Sequence, residues 1–342
     1  MNSTRKLAAI LAAGMRRRKF ITFLGGVAVA WPVIVAQAQQ GGRTWRVGHV
    51  LVGTPDSFGH IAAAFERRLA ELGYVTGQNI IIVNRYAAPE PESQEEAITA
   101  LLPDIDLLVV YGTIGGVAAK KLAKTLPVVF MTIAAPVNLG LVESLSRPGG
   151  NMTGITFEAA EETNAKRLQI LREIVPSATR IAVLGARSDP NVGIAMTSLQ
   201  QAASGLGVTL GLVEITSADS LRTAFDEMKS NRAEAIIVIP GSLTYVDRRR
   251  IADLANIYQL PSCYAFRESV EVGGLVSLGP DIVAMTAQGA AYVGKIIHGA
   301  KPADLPVQQP VRYELYINLK TAKALGLMLP TSLLIRADKV IE

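Results

Sequence analysis

The chain has 342 residues, 49% of them hydrophobic, and carries a formal net charge of +5. That charge belongs to its beginning: Arg5, Lys6, Arg16, Arg17, Arg18 and Lys19 lie within the first 38 residues, which hold no acid. Taking these six from 34 basic residues leaves 28 against 29 acidic ones, so the rest gives no reason to bind nucleic acid or an anionic membrane.

The first element in chain order reads as a secretory signal. Arg16–Lys19 forms a basic cap, no charged residue follows from Phe20 to Gly42, and Ala36-Gln37-Ala38 offers a small-x-small cleavage site. Cleavage is expected near Ala38, which makes residues 1–38 the signal peptide and sends the remaining chain to the periplasm. Arg17-Arg18-x-Phe20-Ile21 is twin-arginine-like, although Arg16 and Thr22 depart from that pattern. Met15 directly precedes the arginines, so Met1–Gly14 stays open as an upstream extension. A permanent anchor fits less well: Phe20–Ala36 is short of the about 20 residues a bilayer requires, and it contains Gly25-Gly26 and Pro32. No cysteine lies nearby to carry a lipid. The mature chain is therefore expected to have no direct membrane insertion.

About 300 residues remain, more than one core normally holds, so two domains are expected. The single cysteine, Cys263, excludes an intramolecular disulfide, and Leu260-Pro-Ser-Cys-Tyr reads as a buried strand with Cys263 in the core.

From Arg43 the sequence alternates short apolar runs with amphipathic helices. Strands are predicted at Trp45–Val52, Ile80–Val83, Leu107–Tyr111 and Val128–Met131, with helices at His60–Leu72, Gln94–Leu102 and Gly115–Ala123. Hydrophobicity that is continuous rather than alternating marks parallel strands covered on both faces. Arg147-Pro-Gly-Gly-Asn-Met-Thr-Gly154 then breaks the order and reads as a turn. A second series follows: helices at Thr163–Ile174, Val192–Ser204, Leu221–Lys229 and Arg248–Tyr258, and strands at Ile181–Leu184, Val208–Ile215, Ala235–Ile239 and Pro261–Tyr264. Leu275–Leu278, a long helix Ile282–His298, Arg312–Tyr316 and a helical Asn318–Leu325 complete it. The expectation is α/β, with two doubly wound parallel-sheet lobes joined by about three crossover segments. One lobe is assigned to 43–155 plus about 275–308, and the other to 156–274 plus about 309–342.

In open parallel sheets ligands sit beyond the carboxyl ends of the strands. The residues found there are Thr54, Asp56, Ser57 and Phe58, then Tyr111 and Thr113, then Thr132. The second series supplies Ser188 and Asp189, Ser242, and Tyr264, Phe266 and Glu268. Any one hydroxyl or acid can equally be a helix cap, worth about 1 kcal/mol. Tyr264 and Phe266 read equally as core. Gly112-x-x-Gly115-Gly116 fits neither phosphate-binding glycine pattern. The histidines, His49, His60 and His298, form no metal-ligand spacing, and no G-x-S-x-G elbow occurs. Nothing calls for a cofactor, a metal or an enzyme.

Four blocks carry a family resemblance: Val128–Val142, Arg147–Gly154, Val272-Gly-Gly-Leu-Val-Ser-Leu-Gly-Pro-Asp281 and Asn318–Leu327. With the signal Arg17–Gly26, they make the chain resemble the substrate-binding proteins of ABC transporters, in their tryptophan/tyrosine-type group with a periplasmic-binding-protein type I fold. The resemblance implies capture of a small solute, an amino acid or an aromatic compound, and its delivery to an ABC permease in the inner membrane by a monomer. The matching positions are Thr113, Ser188, Glu268 and Asp281. An amino acid's carboxylate suits Thr113 and Ser188, and its ammonium suits Asp281 or Glu268. Asp281 reads equally as a cap for the helix at Ile282. Two other readings stay open: a ligand-sensing module that serves a signalling receptor, and an exported α/β enzyme, for which no nucleophile–base set is visible.

Overall fold

The computed structural model describes residues 43–158 and 162–342. The expected signal peptide lies outside them. The first series of elements is β1 (Trp45–Val52), α1 (Pro55–Glu71), β2 (Ile80–Ala87), α2 (Pro91–Leu101), β3 (Leu107–Tyr111), α3 (Gly112–Leu122), β4 (Val128–Ile133) and β5 (Met152–Thr156). The strands form one parallel sheet in the order β2-β1-β3-β4-β5. Every residue of β3 and β4 is buried, the result of an apolar run covered on both faces. α1 starts where Thr54 and Ser57 cap each other and Pro55 presets the backbone. Its Phe58, Ile61, Phe65 and Leu69 are buried on one face.

The second series is α4 (Glu162–Ile174), β6 (Arg180–Ala186), α5 (Asn191–Leu206), β7 (Thr209–Ile215), α6 (Leu221–Ser230), β8 (Ala235–Val238), α7 (Ser242–Val246), α8 (Arg248–Ile257), β9 (Ser262–Tyr264), α9 (Arg267–Glu271) and β10 (Val276–Gly279). α10 (Ile282–Ile297), β11 (Glu314–Asn318), α11 (Leu319–Ala324), α12 (Thr331–Arg336) and β12 (Lys339–Ile341) follow. The second sheet runs β12-β11-β10-β9-β8-β6-β7, with β11 antiparallel to β10 and the other pairs parallel.

Two expectations need correction. The chain does not return to the first lobe at residue 275, because β10 pairs with β9 in the second sheet. Gly279 lets it approach so closely that a Cβ there would lie 1.6 Å from the Ala265 carbonyl oxygen. The return comes at Pro280-Asp281, after which α10 packs on α1, β4 and β5. The turn expected at Arg147–Gly154 hides β5, an edge strand on β4. Gly154 makes that pairing possible, since a Cβ there would meet the Phe130 carbonyl oxygen at 1.9 Å.

The chain thus passes between lobes after β5, between β10 and α10, and before β11. Arg167 of α4 is fully buried between the first two passages. Its Nε donates to the Leu278 carbonyl at 2.9 Å, and its Nη1 to Asn164 Oδ1 at 2.8 Å and Glu158 Oε1 at 3.3 Å. Burial pushes the Glu158 carboxyl up, and Arg167 opposes that rise.

Candidate functional site

The strand ends of both sheets converge on one cleft. The first lobe contributes Val52, Phe58, Tyr111, Gly112, Thr113 and Thr132, with Phe157 beyond β5 and Ile282 from α10. The second contributes Pro240, Gly241, Ser242 and Tyr245 after β8, and Phe266 after β9. Five aromatic rings are engaged edge to face from one lobe to the other: Tyr111 with Phe58 at 5.3 Å, Phe58 with Tyr245 at 5.4 Å, Tyr245 with Phe266 at 5.9 Å and Phe266 with Phe157 at 5.6 Å between centroids. Such pairs contribute about 0.5–1.5 kcal/mol each beyond their burial.

The lobes are closed on each other. A Cβ on Gly112, whose φ is +72°, would lie 2.6 Å from Ser242 Oγ. The Tyr245 hydroxyl is 3.2 Å from His60 Nε2, and Arg248 Nη2 donates to the Ser57 carbonyl at 3.4 Å.

The first lobe's wall is braced from behind. His49, fully buried, stacks on Phe65 with centroids 4.3 Å apart. Asn84 Nδ2 donates to Glu66 Oε1 at 2.8 Å, which leaves Asn84 Oδ1 to accept from His49 Nδ1 at 2.7 Å. His49 Nε2 is then the acceptor for the Tyr111 hydroxyl at 3.2 Å. Burial drives His49 down to about 4, so the ring is neutral at physiological pH. Thr132, at a register shift between β4 and β5, holds φ +54°, a strained geometry for a β-branched residue.

The second lobe's wall has polar groups to spare. Asp189 accepts from the Asn191 amide through Oδ1 at 2.9 Å, but its Oδ2 has no partner and lies 2.6 Å from where a Gly241 Cβ would be. Burial raises Asp189 to about 6. Ser242 Oγ and Asn191 Oδ1 are buried without partners as well. Beside the cleft, His60, Arg248, Arg267, Glu268 and Glu271 surround a charged chamber of about 610 Å³. Glu268 Oε2 has no partner, and burial pushes its carboxyl up to about 7.

Of the sequence-derived candidates, Phe58, Tyr111, Thr113, Thr132, Ser242 and Phe266 line the cleft together. Thr54 and Ser57 are spent on the α1 capping box, and Asp56 is exposed in its first turn. Ser188 is exposed after β6, and Asp189 sits beneath Gly241. Tyr264 lies behind the cleft around a smaller cavity of about 230 Å³, its hydroxyl unpartnered. Asp281 Oδ1 accepts from the Val283 and Ala284 amides and faces Arg267 Nη2 at 3.0 Å, so it is a helix cap in an ion pair. Sequence reasoning reached the strand-end stretches that hold Gly112, Pro240, Gly241 and Tyr245 without naming them as site residues, and it did not single out Val52, Phe157 or Ile282. Tyr245 stands in the stretch after β8, and Phe157 would have followed from reading β5 as a strand. Among the described residues no group of histidines, cysteines or acids could hold a metal ion, and no helix is long and apolar enough to cross a membrane.

A family model for ABC transporter substrate binding proteins matches residues 50–341. A tyrosine-binding protein of Clostridioides difficile (strain R20291) is 25% identical over 264 residues, 77% of this chain and 75% of that one. Among solved structures, an ABC domain from Streptococcus pneumonia in complex with L-Trp superposes with a TM-score of 0.78 and 25% identity, over 86% of this chain and 100% of that one. A conserved domain protein of Vibrio cholerae O1 biovar eltor gives 0.81 at 24% identity, over 87% of this chain and 100% of that one.

Proposed function

The chain belongs to the ABC transporter substrate-binding proteins, and on that premise we propose that it closes in the periplasm around one small aromatic solute, an amino acid or a related aromatic compound, and hands it to its permease. The family binds substrate for transport rather than transforming it. The observation that carries the ligand class is the aromatic box, in which two lobes place five rings around one cleft with Thr113, Thr132 and Ser242 as polar lining. A flat ring can exchange the edge contacts between Phe58, Tyr245 and Phe266 for contacts to itself. The relative named for tyrosine and the neighbour holding L-Trp bind solutes of that shape. A ligand's polar end would be met by Ser242 and by the unpartnered Asp189 Oδ2 beneath Gly241.

Cleavage of the leader near Ala38 and a monomeric mature chain belong to the same reading. Closure needs a solute with higher affinity for the closed state than the open one. Titration calorimetry with L-tyrosine, L-tryptophan and 4-hydroxybenzoate should give saturable binding by at least one, with scattering curves that contract on its addition. Three flat titrations would remove the aromatic assignment.

A further inference from the structure

Among the described residues lining the aromatic cleft, none is a lysine, arginine or histidine. Residues 159–161, just beyond Phe157 in the chain, are Ala-Ala-Glu and carry no base either. The groups left unmet around Pro240, Gly241 and Ser242 are acceptors instead. Asp189, 3% exposed, keeps Oδ1 on the Asn191 amide and has nothing on Oδ2. Burial and that amide alone set its surroundings, with no cation contributing. Gly241, a cleft residue without a side chain, lies against Oδ2, and a Cβ there would come within 2.6 Å of it. Asn191 spends its Nδ2 on the Pro240 carbonyl at 3.0 Å, and its Oδ1 has no partner. Ser242 Oγ lines the cleft in the same condition.

The charge beside the cleft leans the same way. In the neighbouring chamber Arg267 faces Asp281 at 3.0 Å, Glu314 at 3.2 Å and Glu268 at 3.8 Å. Arg248 gives its Nη atoms to the Tyr245 and Ser57 carbonyls. With Glu271, the acids outnumber these two arginines, and Glu268 Oε2 is left over. The field around the site is therefore negative. The π faces of the cleft's own rings add to it, since they attract cations and repel anions.

We infer that the cleft selects its solute by positive charge: it takes an aromatic amine, with the ring among the aromatic side chains and the ammonium on Asp189 and Ser242, and turns away aromatic acids. This rests on the aromatic reading above and narrows it to one charge. An ammonium brings three N–H donors to a wall that is short of donors, and it supplies the counter-ion that the buried carboxylate lacks. A carboxylate would give up its water and meet Asp189 with no guanidinium to receive it. In an amino acid the ammonium is then the group that binds, and the carboxylate is tolerated without being required.

The test is titration calorimetry of the purified chain with four solutes that share one ring: tyramine, L-tyrosine, 4-hydroxybenzoate and the uncharged 4-methylphenol. Tyramine should bind at least as tightly as L-tyrosine, and 4-hydroxybenzoate about a hundredfold more weakly than tyramine or not at all. Asp189→Asn keeps the shape of the side chain and removes its charge. It should cost tyramine about a hundredfold in affinity and leave 4-methylphenol unchanged, a split that a merely structural Asp189 would not produce. If that variant does not fold, the ranking of the solutes by the unaltered chain decides the matter. Equal binding of 4-hydroxybenzoate and tyramine, L-tyrosine binding without tyramine, or tyramine affinity untouched by Asp189→Asn overturns the inference and leaves the aromatic reading standing. Silence from all four solutes ends the aromatic reading and this inference with it.

Discussion

The two walls of the aromatic cleft differ in how their polar groups are used. On the first lobe, Glu66, Asn84, His49 and Tyr111 hold one another in a single line of hydrogen bonds that ends behind the cleft floor. On the second, Ser242 Oγ lines the cleft with no partner, and Asp189 Oδ2, Asn191 Oδ1, Tyr264 Oη and Glu268 Oε2 are buried without partners behind and beside it. An unmet buried polar group costs about 1–3 kcal/mol, so that wall is held at a disadvantage which a bound solute or water can relieve. The first lobe sets the shape of the site, and the second carries its demand for hydrogen bonds.

The largest expected effect separates the lobes by pH. His49 is neutral when folded and titrates at about 4 rather than 6.5, so its contribution, about 3 kcal/mol, is present above pH 6.5 and lost as pH falls toward 4. Asp189 is raised from 3.8 to about 6, so the fold prefers its neutral form: stability is greatest below pH 3.8 and declines by about 3 kcal/mol as pH rises through 6. Glu268, raised from 4.5 to about 7, acts in the same direction. Melting temperature measured against pH should fall between pH 4 and 7 less steeply in Asp189→Asn and Glu268→Gln. A variant curve parallel to the parent's would place those carboxyls in an ordinary environment.

Gly112→Val tests the contact between walls. Its φ of +72° disfavours any side chain, and Ser242 Oγ occupies the space a Cβ would need. Closure should fail and affinity fall about a hundredfold, roughly 3 kcal/mol from backbone strain and the lost approach. Retained ligand-induced contraction in solution scattering would contradict that.

Tyr111→Phe removes the end of the first lobe's line and strands His49 Nε2, at a cost of about 1–2 kcal/mol in denaturant unfolding. Ligand affinity should change less than stability, since the ring remains. Ser242→Ala should do the reverse. It deletes a buried hydroxyl with no partner, so unfolding free energy should stay level or rise by about 1 kcal/mol, while calorimetric affinity for a polar-headed solute drops about tenfold. A joint fall of both would make Ser242 structural.

How far these walls were legible from residues alone follows from what each signal encodes. β3 is readable to the residue because five consecutive apolar side chains lie between covering layers, and burial is a local pattern. β5 was hidden because Arg147-Pro148-Gly149-Gly150 has the composition of a turn, and Gly154 weakens a strand unless another backbone passes close by. Losing β5 lost Phe157. Tyr264 and Phe266 are separated only by tertiary structure: one faces Thr244 and Ser269 behind the wall, and the other reaches the cleft. Asp281 could be ligand or cap by spacing; its Oδ1 caps α10 and faces Arg267, which α9 brings beside it and which no spacing announces. The bracing of Tyr111 by His49 joins residues 62 positions apart, a distance that no periodicity reports.

The threefold passage between lobes also governs when the molecule can first exist. The first lobe lacks α10 until residue 297 has been synthesised, and the second sheet lacks β11 and β12 until residues 318 and 341 have been. Neither half is a continuous segment that could mature alone at the ribosome. The nascent polypeptide therefore stays unfinished until β12 has emerged, and a product stopped before Ile282 has no helix to cover α1.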